Sequence, residues 1–97
     1  MQYDIEKIIG KSIKCVFLNI ENKLAYIYGI NIGTTKFQDV VTTSECIRIH
    51  NNGTFKRHMK GSAIDIGFHK IIKVFDTSEE CWDDIIYELE KHIYEKD

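Results

Sequence analysis

The spacing of apolar residues changes twice along this chain, from helical to alternating and back to helical. Near the start, Ile5, Ile8 and Ile9 recur at helical spacing between Asp4 and Gly10. Asp4 can cap the first turn, and Gly10 tolerates the left-handed conformation that stops a helix. One or two helical turns are expected over 4–9, too short to stand unless packed on a sheet. From Ser12 to Ile20 the period falls to two. Ile13, Cys15 and Phe17 point one way, and Val16, Leu18 and Ile20 the other. Glu21-Asn22 supplies a turn, and Leu24 to Ile30 reads as the return strand. Leu24, Tyr26, Tyr28 and Ile30 share one face of it, and Ala25, Ile27 and Gly29 the other. Strands apolar on both sides belong in the middle of a sheet, covered above and below.

Asn31 to Asp39, with Gly33, two threonines and the isolated Phe37, is expected as a surface loop. Val40 to His50 begins as a weak strand and sharpens at Cys46-Ile47-Arg48-Ile49-His50. Asn51-Asn52-Gly53 is the strongest turn signal in the chain. A two-residue turn sets His50 opposite Phe55. A three-residue loop with Gly53 left-handed sets Ile49 opposite Phe55. The second register is preferred because it gathers Ile47, Ile49, Phe55 and Met59 on one face. Cys46, Arg48, His50, Thr54, Lys56, His58 and Lys60 then share the other. Ala63 to Phe75 continues with Ile64, Ile66, Phe68, Ile72 and Val74 on one parity, and Gly67 marks a bend that divides it into two short strands.

Helical spacing returns after Asp76. Thr77 and Glu80 have the separation of a capping box, and Trp82, Ile85, Ile86, Leu89 and Ile93 form a stripe about 100° wide over roughly residues 78–95. Trp82, Ile86 and Leu89 are expected to bury against the sheet. The order short helix, strands, long helix predicts an α+β fold. It is read as a single domain over 1–97, with a four- or five-stranded, mainly antiparallel curved sheet and an amphipathic C-terminal helix.

Composition adds little to that picture. The chain has 97 residues, 43% of them hydrophobic, with 17 Ile and no Pro. That supports a core without staples, and the β-branched excess favours strands. Cys15, Cys46 and Cys81 are odd in number and far apart, which suits free thiols in a reducing compartment. With no basic-then-apolar leader after Met1 and no membrane-spanning run, the cytoplasm of a bacterium or phage-infected cell is the expected location.

Charge changes the picture more. Residues 1–47 balance, residues 48–75 carry six basic groups against Asp65, and residues 76–97 carry nine acidic groups against Lys91 and Lys96. A net charge of -2 hides a basic middle and an acidic tail. The basic hairpin, with Arg48, His50, Lys56, His58 and Lys60, could hold a nucleic acid or an acidic protein. Asp83, Asp84, Tyr87, Glu90 and Tyr94 give the last helix an acidic, tyrosine-bearing flank of the kind found at protein interfaces.

Catalytic and cofactor motifs are not apparent. Nothing resembles a nucleophile elbow, a phosphate-binding glycine loop or a calcium loop. Cys46 and His50 lie about 13 Å apart along one strand face, too far for a hydrogen bond. Cys46 opposite His58 is the one pairing that suggests a small Cys/His enzyme. Cys46, His50, His58 and His69 lack the close-spaced pair that anchors zinc, so no metal or cofactor is expected. The expectation is therefore a non-enzymatic protein that binds and inhibits or regulates another macromolecule, as small bacterial or phage inhibitors do. A nucleic-acid-binding module built on the 46–60 hairpin is the alternative. A homodimer is also expected, because two helices cover little more than one face of a sheet that is apolar on both.

The segment from Asp4 through Ile8-Ile9-Gly10-Lys11-Ser12-Ile13-Lys14-Cys15-Val16-Phe17-Leu18 resembles the opening of an Sm-like small barrel, in which a helix enters a curved first strand. The resemblance covers less than a quarter of the chain. The family's later glycine-bearing signature does not follow, and the long acidic helix departs from its plan, so the fold is read from the residues alone.

Overall fold

The structure, a computed structural model, describes residues 4–18 and 24–94, the side chains of 92–94 excepted. The expected Glu21-Asn22 turn, the end of the first strand and the side chains of Ile93 and Tyr94 lie outside the described residues. The fold is a compact α+β domain. α1 (Ile5–Ile8) leads into β1 (Ser12–Leu18), β2 (Leu24–Ile30), β3 (Gly33–Thr34), β4 (Val40–Thr43), β5 (Glu45–Ile49), β6 (Phe55–His58), β7 (Ser62–Asp65), β8 (Lys70–Phe75) and α2 (Ser78–Tyr94). A five-stranded antiparallel sheet has the order β6-β5-β2-β1-β8, and a three-stranded sheet the order β3-β4-β7.

The second sheet arises because three strands bend and pass from one sheet to the other. β2 becomes β3 at Asn31, which takes a left-handed φ of 52°. β4 becomes β5 at Ser44, whose N–H and Oγ both donate to the Ile30 carbonyl. β6 becomes β7 at Gly61, where φ is 86° and a side chain would meet the Thr43 carbonyl. The corners are tied together: the Asn31 N–H donates to Ser12 Oγ at 3.2 Å and its side-chain amide to Ser44 Oγ at 3.3 Å. Part of the expected 31–39 loop is therefore strand. Gly29 lies beneath the fold-over, where a Cβ would stand within 3.0 Å of Thr43, Ile64 and Ile32.

Two cores result. α2 covers one face of the large sheet, burying Tyr28, Ile30, Ile47, Ile49 and Phe75 with Cys81 and Ile85. α1 and the small sheet cover the other face, over Ile13, Cys15, Ile27, Cys46 and Ile71. The central strands are covered above and below, as their two-sided apolar pattern implies. The cover for which a second copy was expected comes from the chain itself.

Two expectations about faces need correction. In α2, Ile86 is 49% exposed, while Cys81, Ile85 and Glu88 are buried and Trp82 and Leu89 half-buried. The helix is turned so that Asp84 and Glu88 meet Lys14 in the sheet. Phe68, 77% exposed, lies in the turn before β8, and within β8 Ile71 is buried whereas Ile72 is 44% exposed. The cause is a bulge: Lys14 pairs with Lys73 but Cys15 with Ile71, so Ile72 is the extra residue and the alternation slips by one.

Candidate functional site

The β5–β6 hairpin forms in the three-residue register. Ile49 pairs with Phe55, Arg48 with Lys56 and Cys46 with His58. Gly53 has φ 86°, its N–H donates to the His50 carbonyl, and the Thr54 N–H donates to Asn52 Oδ1 at 2.9 Å. Phe55 and Met59 nonetheless stay 41% and 66% exposed, because β6 is an edge strand that α2 does not reach across.

Arg48, Lys56, His58 and Lys60 are exposed and His50 is half-buried. Arg48 and Lys56 are direct cross-strand neighbours, and among the described residues neither they nor Lys60 enters an ion pair. Their parity is that of Cys46, which belongs to the core on the side away from α2. The basic stripe therefore lies on the sheet face opposite the helix. At its end, His50 and His69 both stand edge-on to Phe17, at ring-centroid distances of 6.3 and 5.4 Å. Arg57, on the helix side, is engaged: it bonds Glu45, its Nε donating at 2.9 Å, and stacks 4.8 Å over the Trp82 ring.

The acidic helix divides into two flanks. Asp83, Glu90 and Glu79 are exposed on its outer side beside Ile86 and Tyr87, the latter 58% exposed. Asp84 instead faces the sheet. Its carboxylate accepts from Lys14 Nζ at 2.8 Å and from the Tyr28 hydroxyl at 2.6 Å. Glu88, one turn on, accepts from the same Lys14 at 3.1 Å. Burial acts against the Lys14 ammonium, but the hydrogen bonds and charges of Asp84 and Glu88 outweigh it and hold its pKa above the ordinary lysine value. Burial likewise acts against the Asp84 carboxylate, and Lys14, Tyr28 and Lys73 together hold it below the ordinary aspartate value. Sequence reading does not find this internal cluster. Its signal was there in an unmatched lysine between Ile13 and Cys15 and in two acids four residues apart on a helix.

Cys46 and His58 do face one another across the strands, as expected. Yet Cys46 is only 1% exposed, and burial raises its pKa against the opposing effect of Arg48. Burial pushes Cys15 and Cys81 up to about 12. The buried thiols are thus held as thiols, the form that is a poor nucleophile and a poor metal ligand. Among the described residues no group of three or more His, Cys, Asp and Glu side chains could hold a metal ion, and no helix is long and apolar enough to cross a membrane.

Comparison with protein-family models, with curated proteins and with solved structures finds no match for this chain.

Proposed function

We propose that this domain is a non-enzymatic binding protein that inhibits or regulates a partner protein. The observation that carries the reading is its two exposed surfaces of opposite sign on opposite sides of one sheet: Arg48, Lys56 and Lys60 on one, Asp83, Tyr87 and Glu90 on the other. Among the described residues neither surface is consumed by ion pairs. The acids that the fold needs for itself, Asp84 and Glu88, come from the inner flank of the same helix. Complementary charge of this kind steers association and fixes orientation. The buried state of Cys46 weighs against a thiol enzyme.

The test is capture from cell lysate with the wild-type protein, with Arg48→Gln/Lys56→Gln/Lys60→Gln and with Asp83→Lys/Glu90→Lys, all three shown to melt alike. A protein retained by the wild type and lost from at least one variant is expected. No protein above background, or equal retention by all three, contradicts the reading.

The adjacency of Arg48 and Lys56, with no acid paired to either among the described residues, also favours a second reading: the hairpin binds nucleic acid. Binding should then fall steeply with salt and vanish in the triple glutamine variant. Unchanged binding in that variant would reject the hairpin as the site.

A further inference from the structure

The outer edge of the large sheet at β6 is unoccupied by any described strand. The His50 N–H donates to the Thr54 carbonyl, so antiparallel alternation turns the main-chain groups of Lys56 and His58 toward β5 and those of Phe55 and Arg57 outward. All four residues of β6 are exposed. Such an edge is a template for one more strand.

The two sides of this edge differ in chemistry. On the side away from α2 it presents Lys56, His58 and the neighbouring Arg48. On the helix side it presents Phe55 and Met59, with Ile86 of α2 on the flank that also carries Trp82. The Arg57 charge between them is already neutralised by Glu45. Side chains of an added strand alternate between the same two sides.

We propose that β6 is a docking edge for an extended segment of a partner protein whose side chains alternate between acidic and apolar, the acids facing Arg48 and Lys56 and the apolar residues facing Phe55 and Ile86. Main-chain pairing supplies the attachment and the alternation supplies the selectivity. This rests on the reading of the domain as a protein binder and names the chemistry of the partner.

The probes are two synthetic peptides, Val-Glu-Val-Glu-Val-Glu-Val and its counterpart with lysine for glutamate. Amide hydrogen exchange of the full chain is followed residue by residue. The glutamate peptide should slow exchange at Phe55 and Arg57 and be preferred by about tenfold over the lysine peptide. Lys56→Glu/Lys60→Glu should reverse that preference. Phe55→Pro, which removes an outward N–H at an edge that tolerates proline, should abolish slowing by either peptide. No slowing at these amides with either peptide at millimolar concentration, or equal slowing with both, overturns the proposal. Partner capture that depends on Asp83 and Glu90 alone would overturn it too, while leaving the binding function in place.

Discussion

Lys14 sits between the apolar Ile13 and Cys15 of β1, and it meets the acidic flank of the last helix. Its ammonium is buried between Asp84 and Glu88 and stands 4.4 Å over the Tyr26 ring, so every route by which it could lose its partners leaves a charge in a poor environment. Lys14→Met should therefore cost about 3–5 kcal/mol, because it strands two carboxylates under the helix. Adding Asp84→Asn and Glu88→Leu should recover most of that loss, since a buried ion pair replaced as a whole is often close to neutral. Chemical unfolding of the single and triple variants checks both statements, and a single variant as stable as wild type would contradict them. Sequence reading assigns Lys14 no role. Alternation says which face it takes but not what stands opposite, and Asp84 reads as part of an outward interface flank because a helix period does not show which flank meets a charge. For Cys46 and His58, by contrast, the register alone is sufficient to pair them.

For β2, alternation from Leu24 to Ile30 assigns both faces correctly, and the Asn51–Gly53 turn fixes the hairpin register because only one choice brings Phe55 and Met59 onto the face of Ile47 and Ile49. The helix boundaries of α2 follow from Thr77, whose Oγ1 accepts from the Glu80 N–H at 3.2 Å, and from the long periodic run behind it. Two things are not legible at this scale. A bulge at Ile72 slips the parity of β8, and no local residue type announces it. The rotation of α2 is set by the lysine beneath it rather than by its widest apolar stripe. Ile85 is accordingly buried and Ile86 is not. Ile85→Ala should cost about 2–5 kcal/mol, and Ile86→Ala about 0.5 kcal/mol or less. Equal losses in the two variants would show that the helix face is wrongly placed.

At the scale of the molecule, bent strands fold a small second sheet over the first, so both faces of the central strands are covered within one chain. Those faces therefore need no second copy to cover them. Charge is sorted in the same way, with the cluster of Lys14, Asp84 and Glu88 inside and two surfaces of opposite sign outside. The inner cluster contributes to the pH dependence of the fold. Asp84 is held below the usual aspartate value, so its contribution is complete above about pH 4 and is lost as the pH falls through its folded pKa. Lys14 is held above the usual lysine value, so its contribution is complete below about pH 10 and is lost as the pH rises through its folded pKa. Unfolding followed by fluorescence of Trp82, the single tryptophan, should show an acid limb that Asp84→Asn flattens; an unaltered limb would contradict the assignment. The outer surfaces carry the functional claim, and hydrogen exchange of the captured complex against the free protein tests it most directly. Slowed exchange is predicted in residues 55–60, on the outer flank of α2, or in both, with the core strands unchanged. Protection confined to the 35–39 turn or to the far edge at β8 would contradict the account.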